Sequence, residues 1–193
     1  MRAMKTILMA CCGLLLASTL PADPPLGLPD VPIPEDNPQT PEKIALGEKL
    51  FLDTRFSITG EVSCSTCHDP EKALTDSPLK TSEGIRKLTG TRNAPTVVNS
   101  AYNETQFWDG RSPTLEDQAL HPFLNPVEMA MPNHERLIEV IRNDPDYVKQ
   151  FKDVFGVPGN EIKIQQVTQA IAAFERTQIA GDSPWDRWYY AGE

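Results

Sequence analysis

The sequence predicts an all-α fold, and three observations carry that expectation. Ile164, Val167, Ile171 and Phe174 recur at intervals of three and four, the spacing of one helix face. No alternating apolar run is joined by a hairpin-type turn, and no internal repeat is visible. Cys64-Ser65-Thr66-Cys67-His68 is a C-x-x-C-H sequence, which on one tight turn attaches a c-type haem. The two thiols can reach the vinyl groups on one side of a porphyrin, and the histidine can sit under the iron as proximal ligand. A zinc site needs two more ligands at short spacing, and a thioredoxin-like pair needs a βαβ setting. Neither is present in the sequence, so covalent haem held by Cys64, Cys67 and His68 is the favoured reading.

In chain order, residues 1–22 read as a secretory signal peptide. Arg2 and Lys5 form the charged start, and Ile7 to Leu20 is an apolar run about right for a leader and short for a membrane span. Cys11 and Cys12 leave with it, so only the haem pair remains of four cysteines. Without that leader the net charge goes from −9 to −11. Such a balance argues against nucleic acid and suits docking of a basic redox partner. No later stretch is apolar and long enough for a membrane span, and a periplasmic location is expected.

Residues 23–40 form a proline-rich lead-in, expected to lie extended on the surface. The haem domain is expected over 41–193. Thr40-Pro41 opens a helix with a threonine cap, and Ile44, Leu46, Leu50 and Phe51 give its apolar face. Asp69 to Gly90 is polar, with little periodicity, and is expected as a loop. Thr114-Leu115-Glu116-Asp117 resembles a capping box opening a helix through Leu120, and Asn125 to Met129 forms a turn. Asn133 caps a helix carrying Leu137, Ile138 and Ile141. Asp144-Pro145 starts another, with Val148, Phe151 and Phe155 inward and Gly156 as its stop.

Several of these pieces resemble the bacterial di-haem cytochrome c peroxidases and their MauG-type relatives. They are Leu46-Gly47-Glu48-Lys49-Leu50-Phe51, the C-x-x-C-H turn, Arg92-Asn93-Ala94-Pro95-Thr96, Phe107-Trp108-Asp109-Gly110-Arg111, Gln118-Ala119, Val127-Glu128-Met129 and Ala172-Ala173-Phe174-Glu175-Arg176-Thr177. The likeness covers the N-terminal haem domain of that family and implies a cytochrome-c-like fold with one haem c. It implies a periplasmic peroxidase that reduces hydrogen peroxide with electrons from a small cytochrome c or cupredoxin. The resemblance makes Glu128 the distal acid–base group, Gln118 a distal-pocket amide and Trp108 an aromatic lying between two haems. It makes Asn93 a contributor to a calcium site. Without the resemblance, Glu128 reads as a turn residue, Gln118 as an exposed helix residue, Trp108 as a core or interface aromatic and Asn93 as a local turn former.

The chain departs from the family pattern twice. Many members place a histidine in the loop before Arg-Asn-Ala-Pro, where this sequence has Ile85; residues 69–91 hold no histidine. One face of the iron is therefore expected to lack a protein ligand, with Met129, Met131, His121 and His134 as the other candidates for it. The family also has a second C-x-x-C-H domain. This chain has one such motif and stops at Ala191-Gly192-Glu193, so a second haem domain or subunit is expected as a partner. Competing expectations are a mono-haem electron carrier, an inert truncation product, and MauG-like oxidation of a protein partner.

Overall fold

A computed structural model describes residues 23–193. The signal-peptide expectation, residues 1–22, lies outside the described residues. The described chain is helical, and no strand is found among the described residues. Three isolated bridges, Asp69 with Thr75, Glu83 with Thr89 and Gln106 with Ser112, close loops.

Two long helices form the frame. Helix α1, Pro41–Leu52, starts where Thr40 Oγ1 accepts the Lys43 N–H at 3.2 Å. Helix α7, Ile164–Glu175, is buried on most sides from Val167 onward, because Ala170, Ala172 and Ala173 let neighbours approach closely. The two helices pack on each other through Leu46, Leu50 and Phe51 against Ile171 and Phe174, with the Phe51 and Phe174 rings 5.2 Å apart. Gly47 sets the closeness of this crossing, since a Cβ there would lie 1.9 Å from the Ala170 carbonyl oxygen. Buried apolar area of this kind supplies most of a small domain's stabilisation.

Between them, α2 is the single turn Cys64–Cys67. Helices α3, Leu115–Gln118, and α4, His121–Leu124, are one turn each. The expected continuous helix through Leu120 is thus broken. Pro122 has no N–H to give the Gln118 carbonyl, so the ladder stops there and restarts. Helices α5, His134–Arg142, and α6, Pro145–Phe155, follow the expected caps: Asn133 Oδ1 accepts the Arg136 N–H at 2.9 Å and Asp144 Oδ1 the Asp146 N–H at 2.9 Å. Gly156 ends α6 at φ 70°, a left-handed position that suits glycine. Val148 and Phe155 are only partly buried, whereas Tyr147 joins Phe151 in the core.

The proline-rich lead-in is fastened rather than simply laid on the surface. Asn37 is 1 % exposed. Its Nδ2 donates to Glu116 Oε1 at 2.7 Å and to the Gln169 carbonyl at 3.0 Å, and its Oδ1 accepts from Lys43 Nζ at 2.9 Å. The same Glu116 grips Arg176 through both oxygens, at 2.6 and 2.9 Å. One carboxylate therefore ties lead-in, α3 and α7 together. Helix α8, Pro184–Asp186, and a π-helical turn, Arg187–Ala191, complete the chain with Trp185, Trp188, Tyr189 and Tyr190 exposed.

Candidate haem site

The C-x-x-C-H turn is held open-side-in by its own backbone. Ser63 N–H donates to Thr66 Oγ1 at 3.0 Å, and His68 N–H closes on the Cys64 carbonyl at 3.0 Å. Ala73 and Leu74 take left-handed φ values of 54° and 56°, and this turn brings the Leu74 carbonyl back to the imidazole. A carbonyl only accepts, so His68 Nδ1–H donates to it at 3.2 Å. That fixes the tautomer and leaves Nε2 as the nitrogen for a metal. Burial lowers the proton affinity of His68, opposed by this hydrogen bond, and keeps the ring in its ligating neutral form. Burial likewise pushes the Cys67 thiol up to about 11 and the Cys64 thiol up as well, so both are neutral thiols at neutral pH. Both are free cysteines.

These residues face a cavity of about 410 Å³, whose wall includes Cys67, His68, Trp108, Gln118, Glu128 and Glu175. A smaller pocket of about 50 Å³ adjoins it, with Cys64, Phe51 and Met129 in its wall. The volume falls within the usual range for cofactor sites. Two thiols, a neutral imidazole with Nε2 unspent, and apolar rings beside them form the donor set of a c-type haem, so the residues present fit that group.

Glu128 stands on the turn from Asn125 to Ala130. Asn125 Oδ1 accepts the Val127 N–H at 3.0 Å, which aims its Nδ2 at Glu128 Oε1, 2.6 Å away. The turn is also clamped from outside: Ile85 N–H donates to the Val127 and Glu128 carbonyls at 3.1 and 3.0 Å, and Ile58 N–H to the Met129 carbonyl at 2.8 Å. Gly84 allows this approach, since a Cβ there would sit 1.9 Å from the Val127 oxygen. Burial raises the proton affinity of Glu128, opposed by the charges of Arg111 and His121. Glu128 is thus a cavity residue, not a solvent-facing turn residue.

The other expected residues fall around it. Gln118, the last residue of α3, is half-buried and lines both pockets. Trp108 is 61 % exposed, so it is not a core residue, yet it also lines the larger cavity. Its Nε1–H donates to the Asn93 carbonyl at 3.0 Å. Asp109 accepts from Arg92 at 3.0 Å and Arg111 at 2.8 Å, joining the two motifs, and these cations pull its carboxyl down to about 2. Asn93 is exposed, and among the described residues no cluster of three or more His, Cys, Asp or Glu side chains could hold a metal ion. His134 Nε2 pairs with the Leu120 carbonyl at 3.2 Å, and His121 with Asp117 at 3.5 Å. Met129, Met131 and Ile85 are buried in the core, and Met129 also lines the smaller pocket.

Three contributors were not singled out from sequence. Asn125 reads as an ordinary turn former, and Gly84 carries no signal without the facing backbone. Glu175 follows Phe174 on the apolar helix, and its burial was readable only from the alanines around it.

Fold and site together define a class: an all-α domain of the cytochrome c type with a pocket built to hold haem c. The chain matches the family model described as di-haem cytochrome c peroxidase over residues 41–193, and it belongs to that family. It is 42 % identical over 167 residues to cytochrome c peroxidase Ccp of Escherichia coli K12, which spans 86 % of this chain and 35 % of that protein. It is 40 % identical over 163 residues to methylamine utilization protein MauG of Methylorubrum extorquens, covering 84 % of this chain and 45 % of that one. A crystal structure of a MauG-like protein associated with microbial copper homeostasis superposes with a TM-score of 0.81 at 34 % identity, covering 90 % of this chain and 51 % of that one. The chain therefore spans about a third to a half of the length of these relatives.

Proposed function

We propose that this chain is a haem peroxidase domain of an exported protein, reducing hydrogen peroxide to water. The observation that carries the reading is the placement of the Glu128 carboxyl, with raised proton affinity, in the cavity that also holds Cys67 and His68. Haem c, when bound, supplies the iron centre at which peroxide accepts electrons. Cys64 and Cys67 would hold it through thioethers, and His68 Nε2 would coordinate the iron, with the ring aligned by the Leu74 carbonyl. Glu128 takes a proton from one peroxide oxygen and returns it to the oxygen that leaves as water. Asn125 keeps the Oε1 of that carboxylate oriented, and Gln118 offers an amide for the second peroxide oxygen. The overall change is one peroxide, two electrons and two protons to two waters. The electrons come from a small cytochrome c or cupredoxin by way of a second haem domain or subunit, with Trp108 on the entry side. A calcium ion near Asn93 would need ligands from that second part.

A second reading has the same pocket draw its electrons from a protein partner that is itself the substrate. The exposed Trp108, on the cavity wall and hydrogen-bonded to the Arg92–Thr96 segment, favours it.

The test is rapid mixing of peroxide with the haem-loaded chain, followed by absorbance. Glu128→Gln, which keeps shape and loses the base, is expected to slow the reaction by about 10²- to 10⁴-fold. An unchanged rate contradicts the role of Glu128.

A further inference from the structure

Glu175 is a buried carboxyl that the proposed reaction does not use. It is 5 % exposed, its Oε2 has no hydrogen-bond partner, and it lines both pockets together with Gln118 and Glu128. Its immediate neighbour Arg176 makes no hydrogen bond to it, because that guanidinium is held by both oxygens of Glu116 across the α3–α7 seam. Buried polar atoms are almost always paired, so an orphan oxygen on a side chain that lines both pockets marks a group without its usual partner. The titratable groups around it are Arg176 on its own helix, Glu116 of α3, Lys43 of α1 facing that pair, Cys64 and Cys67 of α2, His68 just after it, and Glu128 of the facing turn. Cys64 ceases to titrate once it becomes a thioether.

Resting on the acid–base reading of Glu128, we infer that Glu175 is a second proton-holding carboxyl of the pocket, acting through Glu128 rather than on peroxide. Reduction to two waters consumes two protons, whereas a single shuttling carboxylate only moves one between the two oxygens. Glu175 stores a proton on the α7 side of the cavity. Its O–H bond breaks and an O–H bond at Glu128 forms, the proton passing through water in the cavity that both carboxyls line; no electrons move. Solvent returns the proton to Glu175 through the side of the cavity where Arg92 and Trp108 are exposed. Burial raises the Glu175 carboxyl to about 8, so it carries its proton at neutral pH, and the adjacent Arg176 charge eases its brief ionisation.

The test uses the haem-loaded full chain. Infrared difference spectra across about pH 6 to about pH 10 are expected to show the carbonyl stretch of a neutral carboxylic acid, fading near pH 8. That band is expected to vanish in Glu175→Gln and to persist in Glu128→Gln. Turnover of Glu175→Gln is expected to fall about 10²-fold with its pH profile shifted, the scale of a lost general-acid contribution. A band that survives in Glu175→Gln, or a wild-type rate in that variant while Glu128→Gln is slow, overturns this inference alone. A wild-type rate in Glu128→Gln overturns the reading it rests on. If Glu175→Gln does not load haem, Glu175→Asp decides. A retained neutral-acid band and measurable turnover uphold the inference, and a loaded variant without the band overturns it.

Discussion

At the residue scale, the proposed chemistry depends on how the neighbours of one carboxyl set its proton affinity. Burial raises the proton affinity of Glu128, while Arg111 and His121 pull it down. The 2.6 Å hydrogen bond from Asn125 Nδ2 stabilises the ionised form, because only a donor faces that oxygen. Replacing Asn125 with leucine removes the donor, so Glu128 holds its proton to higher pH. The acid limb of the kcat/KM profile is then expected to move up by about one pH unit, or about 1.4 kcal/mol. A limb that stays in place or moves down contradicts this pairing. The sequence showed the residue type and the turn but not this environment. Asn125 and Glu128 are three apart, whereas the burial comes from Ile85 and Gly84, more than forty residues upstream.

At the element scale, the site is held by the crossing of α1 and α7 and by the seam of α3 with α7. The apolar faces of α1, α5 and α7 were legible because helical spacing and caps are local properties, and Thr40, Asn133 and Asp144 cap as their side chains require. The break between α3 and α4 was less legible, because Thr114 and Leu115 signal a helix while Pro122 acts only through the missing donor. Gly47 gives a quantitative check. A methyl group there meets the Ala170 carbonyl oxygen at 1.9 Å, which only backbone movement can relieve. Gly47→Ala is expected to destabilise the holoprotein by about 1–3 kcal/mol in denaturant unfolding, although alanine is the better helix former. A stabilised variant would mean that the helices do not cross this closely.

At the scale of the whole molecule, the described surface shows two features a redox domain can use. Acidic residues exceed basic ones, and exposed aromatics gather at Trp185 to Tyr190, with the Trp185 and Tyr189 rings stacked at 4.9 Å. A net negative surface speeds encounter with a basic partner and is screened by salt. The rate of reduction by a small basic cytochrome is expected to drop steeply from about 0.01 M to about 0.15 M ionic strength. A salt-independent rate contradicts electrostatic docking. The haem turn was legible from five consecutive residues, whereas the cavity is assembled from α2, the 84–96 loop, Trp108, α3, the 125–130 turn and α7, an arrangement that only the fold supplies.

In the proposed haem-loaded chain, His68 would coordinate the iron and the cavity beside Glu128 would be left for peroxide. Electron paramagnetic resonance of the ferric, haem-loaded chain tests it most directly. A high-spin signal is expected, because His68 is the one histidine lining the two pockets, and His121 and His134 pair elsewhere. A low-spin signal with histidine or methionine on the second face would contradict it.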